Sequence, residues 1–505
     1  MDKSNYNDVY IPRDGVGAGN LAIAGENTLL KLLNASPPAS SNKEFRDLHG
    51  TLNDGSKASL LQCIPMGSMK YGLGKTAQHE TSFFPHYVLI GNYFISSDEA
   101  KIQAINYHFE NVGCLVNTLR TFGTIYPGSE EFRRVIEADH QRSVKIAEEQ
   151  GWDRPKLKPG IGDDPVLQYY SGCREIMQCR AQVGTIEMNN HVSHGMGGAS
   201  GVSIDNEIVV SLKFADPVAV SDAFMSLNNL HSFFELCLGR RQRYLRIEAQ
   251  LVKEEEESDD PFAGRLQAYW SYCNERISGK TSPTHYLDVL LDAGAQQAEF
   301  GIVLSNWLDS ETSVGEARSR FANGFHSGSY SIDRIVGSAN MFDLLPSTHV
   351  PSNVKLDKPT SDAIEKSREY FKALPENTVR QSTLSALGRI GKASLRDKIF
   401  HRANILIETD PNKFADLRIP CHQAVLCRNH FVHGSEGTFD YRKEINAFIF
   451  LIETLEFVFA ASDLIELGWN YSVWRSKGST LRHKFGSYAY NYESNLEMLK
   501  QLINA

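Results

Sequence analysis

From about Phe45 to Pro217 the chain alternates short apolar runs with turn residues. SFFPHYVLIGNYFI, INYHFENVGCLVN, CREIMQCRAQVGTIEM and NEIVVSLKFA are rich in Val, Ile, Phe and Tyr, the pattern of strands in a largely antiparallel β region. The first 40 residues read instead as loop. DGVGAGN carries Gly15, Gly17 and Gly19 with no strand pattern before it, so a flexible lead-in is predicted and not a phosphate-cradling loop. After Pro217 the period lengthens. VSDAFMSLNNLHSFFELCLG repeats apolar residues every three to four positions, which predicts a helix. A strand-like YLRIEAQLV follows, and then Lys253 to Asp260, KEEEESDD, a charged and solvated connection. Helical periodicity returns in THYLDVLLDAGAQQAEFGIVLSNWLDS and continues to SIDRIVGSANMFDLL.

PSTHVPSNVKLDKPT, with Pro346, Pro351 and Pro359, has almost no apolar period. Repeated proline breaks helices and favours extended chain. The predicted organisation is therefore α+β. Residues 1–345 form a β-rich region with helices and a subdomain break near 217–260. Residues 346–360 are a linker, and 361–505 are an all-α bundle. In that bundle TSDAIEKSREYFKAL has Thr360 and Ser361 as caps, and ENTVRQSTLSALGRI follows it. SLRDKIFHRANILIETD has Ser394 as its cap and a stripe at Leu395, Ile399, Arg402 and Leu406. Asp440 to Leu467 is apolar around most of its circumference and ends at Gly468. It is predicted to be a central helix that also meets a partner subunit.

Composition adds limits. The 505 residues, 41% hydrophobic and 22% charged, exceed one ordinary domain and are globular in character. The first residues, MDKSNYNDVY, lack an apolar h-region. Phe448 to Leu467 contains Glu453, Glu456, Asp463 and Glu466, too many charges for a membrane span. Eight cysteines without a CxxC pair read as reduced thiols, and a cytoplasmic protein is expected. The net charge of −9 argues against a general nucleic-acid coat. Its distribution matters more: residues 361–505 hold 19 Lys and Arg against 17 Asp and Glu, and the rest hold 33 against 44. Any RNA contact is better placed in the C-terminal third.

Two stretches there carry candidate chemistry. CHQAVLCRNHFVHG, between Pro420 and Gly434, predicts a helix bearing Arg428, Asn429 and His433. Asn429 and His433, four apart, share a face. Arg428 lies about 140° from His433 and must reach back to it. Its alignment with Val425 and Val432 also fits an arginine burying its stem at the core edge. WNYSVWRSKGSTLRHKFGSYAYNY is the second stretch, with no acidic residue. Arg475, Lys477, Arg482, His483 and Lys484 alternate there with Trp474 and other rings, which suits single-stranded RNA binding and equally suits packing on the bundle. His191 and His194 lack a third metal ligand and read as part of a glycine loop. Cys173 with Cys179 and Cys421 with Cys427 lack zinc-ribbon spacing, and His430 reads as a bystander on another face.

The first stretch resembles the HEPN superfamily, whose ribonuclease members carry Arg, a polar residue, three variable residues and His on a bundle helix. Arg428, Asn429 and His433 fill that pattern. The segments on either side, LRDKIFHRANILIETD and INAFIFLIETLEFVFAASDLIELG, are most similar to the ApeA-like branch of bacterial anti-phage proteins. The resemblance implies a metal-independent, cofactor-free endoribonuclease of abortive-infection defence, with His433 in acid–base chemistry, Arg428 on the phosphate and Asn429 supporting. Imidazole suits proton transfer near neutrality, and guanidinium suits phosphate. The resemblance also implies tRNA as substrate, a homodimer or larger homo-oligomer with a shared cleft, and an N-terminal sensor answering a phage-derived trigger. The alternative is a non-catalytic HEPN module for nucleotide binding or oligomerisation, with Arg428 and His433 structural. A third reading, for residues 1–345, is a β-rich ligand receptor carrying an inert helical tail.

Overall fold

Fifteen strands and thirteen helices make up the computed structural model, which describes residues 6–13, 17–33, 45–71, 78–152, 160–196, 201–252, 264–271, 284–352 and 356–504. The charged connection 253–260, Gly15 and residues 353–355 of the proline-rich segment lie outside the described residues.

The N-terminal part contains β1 (Tyr6–Pro12), β2 (Ala18–Ile23), β3 (Leu29–Leu33), β4 (Arg46–Leu52), β5 (Lys57–Tyr71), β6 (Gln78–Phe84) and β7 (Tyr87–Gly91). The 15-residue β5 is shared between two neighbourhoods. Its first half pairs with β4 and β7 and its second half with β6, which returns to β3. Strands β5-β4-β1-β2-β3-β6 thereby close into a barrel around Tyr10, Leu21, Leu30, Leu52, Leu60 and Phe83. The lead-in predicted as loop is thus three strands. Val9 and Ile11 face out at 46% and 48% exposure while Tyr10 is buried, an alternation too short to stand out among glycines. Gly19 allows the closure: a Cβ there would lie 2.4 Å from the Lys31 carbonyl oxygen across the pair.

Beyond β7 the same sheet opens. Its further strands are β8 (Ile102–Phe109), β11 (Glu175–Ala181), β12 (Gly184–Met196), β13 (Val202–Val218), β14 (Tyr244–Leu251) and β15 (Arg265–Trp270), in the order β11-β12-β13-β8-β14-β15-β7. All its pairs are antiparallel, as predicted. Strands β9 (Phe122–Ile125) and β10 (Leu167–Tyr170) form a separate pair. Between them runs α1 (Ser129–Gln150), a helix the apolar pattern does not reveal because only Ala147 is buried on it. The predicted helix after Pro217 is α2 (Val220–Leu238), whose Phe224, Leu227, Phe233 and Phe234 cover the open half of the sheet. NNHVSHGM is no glycine loop. It is the end of β12, and residues three apart on a strand face opposite sides, so His191 and His194 do not converge.

The helical part is α3 (Gln297–Asp309), α4 (Glu311–Phe325), α5 (Ile332–Asn340), α6 (Lys358–Ala373), α7 (Thr378–Leu387), α8 (Leu395–Thr409), α9 (Pro411–Phe414), α10 (Arg418–His433), α11 (Ile445–Glu466), α12 (Tyr471–Ser476) and α13 (Lys484–Asn504). Its axis is α11, against which α4, α5, α8, α10 and α13 pack. Helices on both sides of residues 346–360 therefore share one core, which continues into the N-terminal sheet. That segment marks a change of composition, not a gap in packing.

The apolar breadth of α11 has its cover inside the same chain: every residue from Thr454 to Leu464 is buried. Over those residues the cover comes from this chain's own helices and not from a partner, and the exposed apolar position of α11 is Ile445 in its first turn. Its four acidic residues each have a partner on a surrounding helix or turn. Arg318 of α4 grips Asp463 at 2.8 and 3.3 Å, and Arg334 of α5 grips Glu456 through two 2.8 Å bonds. Arg402 of α8 meets Glu466, and the Tyr330 hydroxyl donates to Glu453 at 2.6 Å. Among the described residues no helix is long and apolar enough to cross a membrane. The seven described cysteines are free.

Candidate active site

Helix α10 includes Pro420 in its first turn, where a missing N–H costs nothing. Cys421, Ala424, Val425 and Cys427 are buried and seat the helix against its neighbours, and burial pushes the Cys427 thiol up to about 12. The helix ends at Gly434, which takes φ +68°, a left-handed cap that glycine adopts without a Cβ penalty. His433 thereby occupies the last helical position and is exposed.

Arg428 does reach across the helix. Its Nη1 donates to His433 Nε2 at 2.9 Å and to Asn429 Oδ1 at 3.1 Å. Its Nη2 donates to Asn340 Oδ1 at 3.3 Å. Guanidinium has no acceptor, so the His433 Nε2 carries the lone pair and the ring proton sits on Nδ1. The structure thus brings the three motif residues together in one hydrogen-bonded group, half-buried at Arg428 and open at His433. His430 Nδ1 donates to the Ser435 carbonyl at 2.7 Å, so it fastens the loop after the helix and stays out of the group.

Asn340 was not legible as a site residue. It lies 88 positions from Arg428, at the last turn of α5, and nothing in SANMFDLL marks it. Arg334, six positions earlier, keys α5 onto α11 through Glu456, so the same short helix joins the buried ion pair to the motif arginine.

The basic and aromatic run after Gly468 is mostly built into the protein. Trp474 is 7% and His483 1% exposed. His483 Nε2 donates to the Leu236 carbonyl at 2.9 Å, and its Nδ1 accepts from the Phe485 amide; burial brings its pKa down to about 4. Lys484 is bonded to the Phe325 carbonyl and lies over that residue's ring, with burial lowering its pKa to about 8. Lys477 is bonded to Gln296. Asp288 holds Ser479 at 2.7 Å and also Thr480. Trp474, His483 and Lys484 are therefore packing residues, while Arg475 and Arg482 stay exposed. The alternation of cations and rings came from a segment threaded against the N-terminal part, where rings fill space and cations cap carbonyls.

A cavity of about 860 Å³ lies elsewhere, between α2 and α4, lined in part by His231, Glu235, His326 and Lys484. It contains no residue of α10, so it is separate from the motif. Among the described residues no group of three His, Cys, Asp or Glu could hold a metal ion.

Two family profiles match the chain. ApeA N-terminal domain 1 matches residues 10–151 and 184–307, and Apea-like HEPN matches residues 336–473. No curated protein and no solved structure matches it. The HEPN match begins within α5 and includes Asn340, Arg428, Asn429 and His433, so the four residues of the hydrogen-bonded group fall in one matched segment. With the N-terminal profile alone spanning more than half of the sequence, the chain belongs to the ApeA-like HEPN family.

Proposed function

We propose that the protein is a metal-independent endoribonuclease that cuts tRNA in defence against phage. The observation that carries this reading is the Arg428–His433 contact, a phosphate-binding cation bonded directly to a proton-transfer group. A substrate phosphate competes for the Nη1 donor and frees His433 Nε2. That lone pair takes the proton of the ribose 2′-OH, the 2′-oxygen attacks phosphorus, and the P–O5′ bond breaks. The leaving oxygen takes a proton from an imidazolium on the opposite side, while Arg428 holds the non-bridging oxygens. Asn429 and Asn340 fix the guanidinium from two directions.

The reaction conserves one phosphodiester and needs no added water in this step, so its products carry a 2′,3′-cyclic phosphate and a 5′-OH. Purified protein is expected to give those ends from tRNA in the presence of EDTA. Abolition by EDTA with full restoration by magnesium would refute the mechanism.

Each chain supplies one motif histidine, whereas the step uses a base and an acid. We therefore place two copies of α10 across a two-fold axis at one phosphate. Val432, 42% exposed, and Ile445, 59% exposed, add apolar positions at the motif end of α10 and the start of α11 that such a pairing would cover. Mixing wild-type and His433→Ala protein under subunit exchange is expected to lower activity well below the wild-type fraction. Strict proportionality would assign a complete site to every chain.

Asn340 acts in this reading as a positioning residue. Asn340→Ala is expected to lower kcat/KM by roughly 10- to 100-fold, the scale of a misplacement near 1 Å. Asn340→Asp, which keeps the acceptor, is expected to retain most activity. Equal losses in both variants would assign Asn340 a general structural role. The N-terminal part is read as the sensor that restrains the nuclease, since Asp288, Gln296 and Glu299 hold residues 470–480, the connection between α11 and α13.

A further inference from the structure

Helices α6 and α7 form a hairpin on which no residue is buried. It is held together by its own contacts: Asn377 caps α7, and Arg380 donates to the Phe371 and Lys372 carbonyls at the end of α6. A helix pair whose apolar residues, such as Ile364, Phe371 and Leu384, are only half-buried gains little from the fold it is attached to, so its surface chemistry is the informative part. From Lys358 to Ala393 the sequence has seven Lys and Arg against four Asp and Glu, in a chain of net charge −9. Arg368, Arg389 and Lys392 converge on a shallow concavity floored by Leu384 and Gly388. All three are exposed. Among the described residues none of them is ion-paired with an acidic side chain, and the Arg389 guanidinium has only a 3.4 Å bond from Nε to the Ser385 carbonyl. Tyr370 adds a ring 67% exposed on the same hairpin.

The hairpin also stands at the right end of the bundle. Helices α8 and α10 run antiparallel: Arg418 bonds Asn404 at 2.7 and 3.0 Å, and His422 lies against Phe400. Four steps forward along α10 thus correspond to four steps back along α8, which brings the cap of α8, Ser394, to the level of Arg428. A second contact agrees. Lys398 in the first turn of α8 bonds Asp343 at 2.8 Å, three residues from the Asn340 that holds Arg428. Lys392 is two residues before that cap.

We propose that the α6–α7 hairpin is a docking surface for the phosphate backbone of RNA, leading to the motif end of α10. This rests on the ribonuclease reading and extends it by naming where the substrate strand is held away from the scissile bond. The physical requirement is the one first met in the C-terminal run, cations beside an open ring. In that run Trp474, His483 and Lys484 are taken up in packing, whereas on the hairpin Arg368, Arg389, Lys392 and Tyr370 are all exposed.

The test measures the affinity of full-length His433→Ala protein for a fluorescein-labelled 20-nucleotide single-stranded RNA across salt concentrations. The same protein carrying Arg368→Gln, Arg389→Gln and Lys392→Gln is compared with it. Each phosphate contact to a single strand contributes about 0.7 to the slope of log affinity against log salt, so the triple variant should be shallower by about 2. A control with Arg133→Gln, Arg142→Gln and Lys145→Gln on α1 makes the same change in net charge and should leave the slope unchanged. No measurable binding, an unchanged slope, or equal flattening by both triples would overturn the proposal. So would a change in oligomeric mass in the hairpin variant in place of a change in slope, which would make the hairpin a contact between copies. Cleavage by the wild type is scored separately. Its absence would refute the ribonuclease reading, whereas the binding comparison bears on the hairpin alone.

Discussion

Replacing His433 with alanine is expected to slow RNA cleavage by about 10²- to 10⁴-fold, the usual contribution of a positioned proton-transfer group. The ring is exposed and makes one described hydrogen bond, to Arg428, so folding should be nearly unaffected. Arg428→Ala is expected to cost a similar factor through a different route. It removes the charge that would stabilise the phosphorane-like transition state, where a single donor is worth about 10²–10³. Arg428→Lys should not rescue, because one ammonium cannot reproduce a planar fork that meets His433, Asn429 and Asn340 together. Single-turnover cleavage of tRNA measures the rates, and helical circular dichroism checks the fold. Loss of helical signal together with activity would make these residues structural. Undiminished cleavage by His433→Ala would remove the histidine from the chemistry.

The largest effect on stability is expected at Glu456. Its carboxylate is 3% exposed, bonded twice to Arg334 and once to the Ser338 hydroxyl. Glu456→Ala leaves a guanidinium buried without its counter-charge, a change that costs about 3–5 kcal/mol. Replacing both partners together, Arg334→Met with Glu456→Leu, should recover most of that loss, because two apolar groups of similar volume need no pairing. Urea unfolding of the single and double variants checks the pair. A single-variant loss under about 1 kcal/mol, the range of an exposed pair, would show that water reaches the site and that the pair does not hold α5 in place. Since α5 also carries Asn340, the destabilised single variant is expected to lose cleavage as well.

Much of this was readable from residue patterns where burial and periodicity coincide. The continuous apolar runs of β8, β13 and α2, and the all-round apolar helix α11, sit where the periodicity placed them. Ser394 caps α8 as expected, with the Asp397 side chain completing the capping box. The helix after the proline-rich segment is capped by Asp357, not by Thr360 or Ser361, because the Asp357 carboxylate accepts the Thr360 amide at 3.0 Å. What periodicity could not show is pairing at long range. Arg402 falls on the apolar stripe of α8 and is 1% exposed, which makes sense only once Ser462 and Glu466 of α11 are beside it. The acidic residues of α11 exclude a membrane span from sequence, but the arginine partners of Glu456, Asp463 and Glu466 come from helices 64 to 145 residues away. Asn340 is invisible for the same reason. The C-terminal run misleads in the opposite sense, since side-chain type does not say whether a ring or cation faces water.

The distance between Arg334 and Glu456 along the chain, 122 residues, has a consequence in time. A ribosome adding about 5–20 residues per second makes α5 roughly 6 to 24 seconds before it makes the carboxylate that seats that helix. Throughout this interval Arg318 and Arg334 have no Asp463 or Glu456 to meet, and α10 emerges before the helix against which it packs. The guanidinium of Arg428 can be made and displayed, but its support through Asn340 depends on a helix not yet anchored. A nascent chain is therefore expected to remain without a formed motif until α11 has been synthesised, so that a host making this protein meets the assembled site only on nearly finished chains.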